Sequence, residues 1–363
     1  MGKAGLQKAI LSLIVVTLAF GGMPGPVLGQ QKGPVKPPPP QQQQQQPPPA
    51  PQKPPQYAVT VQSTLVTVDV VVTDDNGNPI PGLKQQNFQV LEDNAPQTIA
   101  NFTPTEAPIT IVMLMEFSEL YYGWFAYIGR NWAINFLNNL RPDDWIAFVT
   151  FDLQPHILVD FTRDKTQVRS QLESLYFPGF REAALFDAVL EMIDRLRQVK
   201  GKNALLIIAS GLNTFSHHNL DDVLNALKET DTTVFAVGVA RPLYEYADAR
   251  GMLGDIQRMD FLQAENQLGA FARMTGGRAW FPRFDGELPD IFQQVAESLR
   301  SQYTLAYTPA GHGNDGKYHK IKVQLIAPNG QPLVIVNQKN KKVKYQIYAR
   351  QGYQSPKPEA ASR

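Results

Sequence analysis

The chain contains no cysteine. Disulfides, thiolate nucleophiles and cysteine-ligated metal centres are therefore excluded, and stability must come from packing. Charge of one sign is lacking too: 34 Lys and Arg against 33 Asp and Glu leave a net +1. Nothing in that balance points to nucleic acid or to an anionic membrane surface. There is no Gly-x-Ser-x-Gly elbow, no phosphate-cradling Gly-x-x-x-x-Gly-Lys, no His-Glu-x-x-His and no Gly-x-Gly-x-x-Gly. The paired carboxylates Asp143-Asp144 and Asp221-Asp222 fall where turns and helices begin or end, so capping accounts for them without catalysis. His217-His218 is an adjacent pair with no third histidine near it, which reads as a solvated pair rather than a metal site. The sequence therefore disfavours an enzyme.

Long apolar runs are scarce. The run at residues 9–20 is short for a membrane span, and no later segment is long and apolar enough to be one. With Lys3 and Lys8 before it and Val27-Leu28-Gly29 after it, residues 1–29 read as an export signal. An uncleaved N-terminal anchor is the alternative. Once such a signal is removed, no membrane span is expected. An exported chain free of cysteine suits a bacterial periplasm, cell surface or extracellular space.

What is abundant is punctuation and β-pattern. Residues 30–56 are built almost wholly from Gln, Pro, Lys, Gly and Ala. They cannot bury a core, and proline favours an extended spacer. Residues 57–106 alternate as half-buried strands: Val59, Val61 and Leu65 on one parity, then Val66, Val68, Val70 and Val72 on the other. The change of phase predicts a bulge or break at Leu65-Val66. Asp74-Asp-Asn-Gly77 and Pro79-Ile-Pro-Gly82 read as turns.

From Ile109 to about Phe281, strands alternate with helical stretches. Strands are predicted at 109–115, 145–151, 157–161, 204–209, 233–239 and 278–281. Helices are predicted at 122–140, 165–175, 184–199, 221–230 and 265–275. The third helix places Leu185, Ala188, Val189, Met192, Ile193 and Leu196 on one face. The fold class is thus α/β, a doubly wound, mostly parallel, Rossmann-like sheet. A last helix is read at 286–300. The β-like runs after it are too few and short for an independent core. We expect residues 302–353 to pair with 57–106 as one β-sandwich-like module, with 107–301 inserted between them and 354–363 as a tail. The stretch 241–266 is longer than an ordinary connection and is expected to be a loop, helix or lid.

The strand Ile109-Thr-Ile-Val-Met-Leu-Met115 runs into the polar frame Glu116-x-Ser118-x-Leu120. The carboxyl end of such a strand is where open α/β sheets bind ligands. This frame resembles the Asp-x-Ser-x-Ser loop of von Willebrand factor type A (VWA) domains. Val68 to Leu83, Asn87 to Asp93 and Gln97-Thr-Ile99 are similar to the opening of a bacterial family of exported VWA-related proteins. Asp144 to Asp152, Ala183-Ala-Leu-Phe-Asp187, Thr275-Gly-Gly277, Tyr303 to Tyr307 and Ala349 to Tyr353 follow in that family's order.

The resemblance implies a metal-ion-dependent adhesion site drawing oxygens from three loops. Here Glu116 stands for the first Asp, Leu120 for the second Ser, Ala183 for Thr and Ser210 for Asp, while Ser118 is kept. Magnesium needs near-octahedral oxygen ligands. Glu116, Ser118 and Ser210 are weak candidates for it, so the site is expected to be degenerate and the chain to carry no cofactor. The expected function is metal-independent binding of another protein or a matrix component. The rim would be Glu116, Ser118, Leu120, Tyr121, Trp124, Ala183 and Ser210, with Tyr121 and Trp124 as apolar anchors. A magnesium-dependent adhesion module with an altered site is one alternative, and a structural envelope spacer is another.

Overall fold

A computed structural model describes residues 65–104, 108–119, 123, 129–310, 314–336 and 339–357. The predicted leader, the Pro/Gln-rich segment, the strand at 57–64, the tail beyond 357 and the rim positions Leu120, Tyr121 and Trp124 lie outside them.

The central sheet has the strand order β10-β9-β8-β5-β6-β7. Its members are β5 (Ile109–Glu116), β6 (Trp145–Phe151), β7 (Pro155–Thr162), β8 (Lys202–Ala209), β9 (Thr233–Gly238) and β10 (Ala279–Trp280). Five strands are parallel, and the edge strand β7 runs antiparallel to β6. Every residue of β5 is buried, as a strand covered on both faces requires.

One face packs under α1 (Arg130–Asn138), α2 (Lys165–Ser174) and α7 (Leu288–Arg300), around Phe136, Phe148, Phe235 and Phe292. The other packs under α3 (Leu185–Arg197), α4 (Leu220–Glu229) and α6 (Asp255–Thr275), around Val112, Leu114, Met192 and Phe271. The six apolar residues predicted on one face of α3 are all buried. Asp221 and Asp222 lie in the first turn of α4, behind the Asn219 cap. Asp144 is buried and accepts from the Ile109 and Arg141 amides, tying the loop before β6 to the start of β5.

Two differences from the sequence reading stand out. The strand predicted at 278–281 shortens to two residues. The excursion at 241–266 is two helices, α5 (Arg241–Ala249) and an α6 that starts at Asp255 rather than Glu265. Gly251 takes φ +66° between them, and the Gln257 side chain accepts from the Gly254 amide to start α6. Local capping thus supplied a helix start that apolar periodicity did not mark.

The remaining strands form two four-stranded antiparallel sheets, β15-β1-β11-β4 and β16-β12-β2-β3, and the short pair β13-β14. Here β1 is Val66–Asp74, β2 Phe88–Glu92, β3 Ala95–Gln97, β4 Ile99–Pro104, β11 Gln302–Tyr307 and β12 Tyr318–Leu325. The others are β13 (Ile335–Val336), β14 (Lys342–Val343), β15 (Tyr345–Ala349) and β16 (Gly352–Gln354). Strand β1 pairs with both β11 and β15, and β2 pairs with β12. Val68, Val70 and Leu305 from one sheet share a core with Phe88, Val90 and Ile321 from the other.

A polar cluster lies within this β core. The Tyr307 hydroxyl donates to Glu92 at 2.6 Å and the Tyr353 hydroxyl at 3.3 Å. His319 is buried, with Nδ1 2.8 Å from Asp93 and Nε2 3.0 Å from Asp315. Burial opposes its charge, but the hydrogen bonds to Asp93 and Asp315 outweigh that and raise its pKa above the ordinary value. Burial and the Glu92 carboxylate both push the Tyr307 hydroxyl up.

The β sheets meet the α/β part through Lys202, which pairs with Asp69 at 3.3 Å, and Arg350, which pairs with Asp231 at 2.8 Å. A side chain at Gly276, where φ is +83°, would strike the Arg350 backbone. No helix among the described residues is long and apolar enough to cross a membrane.

Candidate functional site

Strand β5 ends on Glu116, and the loop after it stays on the sheet because the Phe117 amide donates to Phe151 O at 2.9 Å. This places the Glu116 side chain between the ends of β5 and β8. One carboxylate oxygen accepts the Ser118 hydroxyl at 2.8 Å, and the other accepts the Ser210 amide at 2.7 Å. The Ser210 hydroxyl accepts the Leu212 amide at 3.1 Å. Burial pushes the Glu116 carboxyl above the usual range, and the bonds from Ser210 and Ser118 offset only part of that.

Ala183 opens the second loop. Its amide donates to the Thr214 hydroxyl at 2.8 Å, and its carbonyl accepts the Thr214 amide at 2.9 Å. The next amide, that of Ala184, donates to Asp152 O at 2.7 Å. Glu116 thus bonds Ser118 and Ser210, Ala183 is tied through Thr214 to the loop after β8, and all four of Glu116, Ser118, Ala183 and Ser210 lie below the surface. Their exposures are 6%, 0%, 3% and 1%. Residues so buried offer a partner almost no surface, which corrects the expectation that they line a rim directly. Leu120, Tyr121 and Trp124 are outside the described residues.

Exposed side chains frame this buried knot instead. Phe180, whose carbonyl accepts the Glu119 amide at 2.8 Å, is 49% exposed, and Phe215 beside Ala183 is 59% exposed. Neither was singled out from the sequence, because isolated aromatics in loops carry no periodicity. Thr214 and Asn213 were missed as well. Asn213 accepts from the Phe186 amide at 3.2 Å and from the Ser216 hydroxyl at 2.6 Å, shaping the third loop. Their signal is only the small polar run that follows β8.

The histidine pair has a structural task. Both Nδ1 atoms and both amides of His217 and His218 bond the Asp187 carboxylate at 2.8–3.0 Å. Burial opposes ionisation of Asp187, but these four bonds prevail and hold its pKa at about 2.

Among the described positions that stand for the family's metal ligands, side-chain oxygens come from Glu116, Ser118 and Ser210. They bond one another and neighbouring amides, and Ala183 contributes none. No cluster of three His, Asp or Glu that could hold a metal ion occurs among the described residues. Such a donor set, with one already-satisfied carboxylate, does not fit the geometry magnesium needs.

Comparison with known proteins finds a family match for part of the α/β region. Residues 126–266 match the von Willebrand factor type A domain. No curated protein sequence matches the chain. Among solved structures, BatB from Bacteroides thetaiotaomicron is 14% identical over 53% of this chain and all of its own, with a TM-score of 0.38. The vWF domain of the type V pili tip protein Mfa5 from Porphyromonas gingivalis is 14% identical over 54% of this chain and 96% of its own, TM-score 0.40. A von Willebrand factor type A structure from Catenulispora acidiphila is 9% identical over 82% of this chain and 75% of its own, TM-score 0.42. These are distant likenesses. The family match assigns residues 126–266, which lie within the α/β part, to the von Willebrand factor type A domain.

Proposed function

We propose that this chain is an exported, non-enzymatic, bacterial interaction protein. Its VWA domain binds another protein or a matrix component at the carboxyl edge of the central sheet, without a cation. Residues 1–29 serve as the export signal and 30–56 as a spacer. Residues 57–106 and 302–353 form one β module carrying the VWA domain at 107–301, with 354–363 as a tail.

The observation that carries the metal-free reading is the Glu116 carboxylate. It reaches from the β5 loop to the β8 loop and bonds Ser118 and the Ser210 amide. A hydrogen-bonded side chain thus joins the loops that a cation joins in a metal-dependent site. Exposed Phe180 and Phe215 beside this knot favour an apolar contact with the partner, since aromatic side chains are favoured anchors at interfaces.

Thermal unfolding of the full chain with magnesium, manganese or EDTA tests this. A native-state ligand at about a hundred times its dissociation constant adds about 2.7 kcal/mol, or about 2–4 °C per kcal/mol for a domain of this size. We expect no shift with either cation. A shift that disappears in Glu116→Ala would overturn the reading and establish metal-dependent adhesion.

A further inference from the structure

Helix α5 is amphipathic yet buries none of its side chains fully. Its apolar residues Leu243, Tyr244 and Ala247, spaced to share one face, border a cavity of about 640 Å³ closed on the far side by α6 and the loop after β8. That volume lies within the ~300–1,000 Å³ typical of ligand pockets.

The walls are held in place by contacts that do not involve any occupant. Tyr244 stacks on Phe261 with ring centroids 3.8 Å apart and planes 9° apart. Arg241 makes a two-point pair with Glu265, linking α5 to α6. Gly211, at φ +84°, approaches α6 so closely that a Cβ would come within 2.7 Å of Ala264 O, and Gln267 donates to its carbonyl.

The cavity opens on the same edge as the buried Glu116 knot, because Phe186 and Thr214 border it. Its lining is mainly apolar and contains one charged residue, Asp260. The Asp260 side chain is exposed, and no ion pair or side-chain hydrogen bond engages it among the described residues. The apolar surface continues outside: Leu243 is 54% exposed, and Ile256, one turn before Asp260, is 75% exposed.

We propose that this cavity is a specificity pocket for a partner polypeptide, taking an apolar side chain that lies next to a basic residue. The aromatic and aliphatic walls bury the anchor, and Asp260 pairs with the adjacent cation. A free small molecule would leave Leu243 and Ile256 bare, whereas a polypeptide crossing the edge covers them. The pocket deepens the proposed protein-binding role, but its occupancy does not depend on whether a cation binds at Glu116.

The test uses the full chain with 13C-labelled Ala and Leu methyls, in EDTA, titrated with N-acetyl-Phe-Arg-amide. We expect saturable shifts of the Leu243, Ala247, Leu253 and Ala264 methyls. N-acetyl-Phe-citrulline-amide, of similar shape without the charge, should bind about fivefold more weakly, as should the arginine probe to Asp260→Asn. N-acetyl-Ala-Arg-amide and the cavity-filling Ala247→Trp should abolish the shifts. Absence of saturable shifts overturns the proposal, and so does binding unaffected by both Asp260→Asn and Ala247→Trp. A cation-dependent rise in unfolding temperature with these peptide shifts intact would overturn the metal-free reading alone. Lost shifts without a cation effect would overturn the pocket alone.

Discussion

Glu116 and Glu92 are both buried glutamates at the end of a strand, and the two regions treat them differently. Glu116 takes one hydroxyl and one backbone amide, and no cationic side chain pairs with it among the described residues. Glu92 takes two tyrosine hydroxyls and has the imidazole of His319 3.9 Å away. In the α/β part the carboxylate fastens two loops of one sheet edge. In the β sheets it gathers β2, β11, β12 and β16, so strands from both sheets meet on it. The donors around a buried carboxylate thus decide whether it acts as a local latch or as a cross-sheet tie.

The largest break in that comparison is expected at Glu92. Glu92→Ala strands two buried hydroxyls and leaves His319 without one of its nearby carboxylates. A loss of about 3 kcal/mol is expected in urea unfolding. Glu116→Ala leaves the Ser210 amide and Ser118 hydroxyl unpaired in a cavity, and about 2 kcal/mol is expected by the same measurement. Glu116→Gln keeps an acceptor for the amide and should be far milder. Because burial raises the Glu116 pKa, the stability linked to its protonation is present below the unfolded pKa and is lost as pH rises through the folded value. Glu116→Gln should flatten that slope. Equal losses in the alanine and glutamine variants would show that volume, not hydrogen bonding, makes the latch.

A smaller effect separates the two regions by pH. His319 has a raised pKa, so its contribution is complete below about 6.5, the unfolded value, and declines as pH rises through the folded value. His319→Asn should remove that alkaline decline from the unfolding curve. A decline that persists unchanged would place its origin elsewhere. The smallest effect is expected at Asp187, whose folded pKa of about 2 makes its contribution present above about 3.8 and lost as pH falls towards 2. Asp187→Asn should cost about 1 kcal/mol at neutral pH, since the histidines that hold it are exposed, and should shorten the acid limb. Acid unfolding identical to that of the parent chain would count against the four-bond clasp.

Much of the α/β part was legible in the sequence. The unbroken apolar run of β5 and the single apolar face of α3 each allow only one kind of environment, and both are found there. The grouping of Glu116, Ser118, Ala183 and Ser210 was an expectation legible in the sequence only through the VWA resemblance. Their depth was not, because no local pattern separates a residue that lines a rim from one sealed just beneath it. The same limit explains Phe180 and Phe215, lone aromatics whose exposure depends on how loops from different strands close around them.

The sequence by itself determined the secondary elements with strong period, the absence of thiol chemistry and the family of the α/β sheet. Periodicity and composition are local quantities, and a strand or helix must satisfy them wherever it packs. The tertiary structure decided what the long-range pairs do. Glu116 meets the Ser210 amide across 94 residues, and Glu92 meets the Tyr353 hydroxyl across 261. It also decided that α5 turns its apolar face to an open cavity rather than into the core. Such outcomes depend on which distant backbones meet, and burial then sets the energy of each polar group that is brought there.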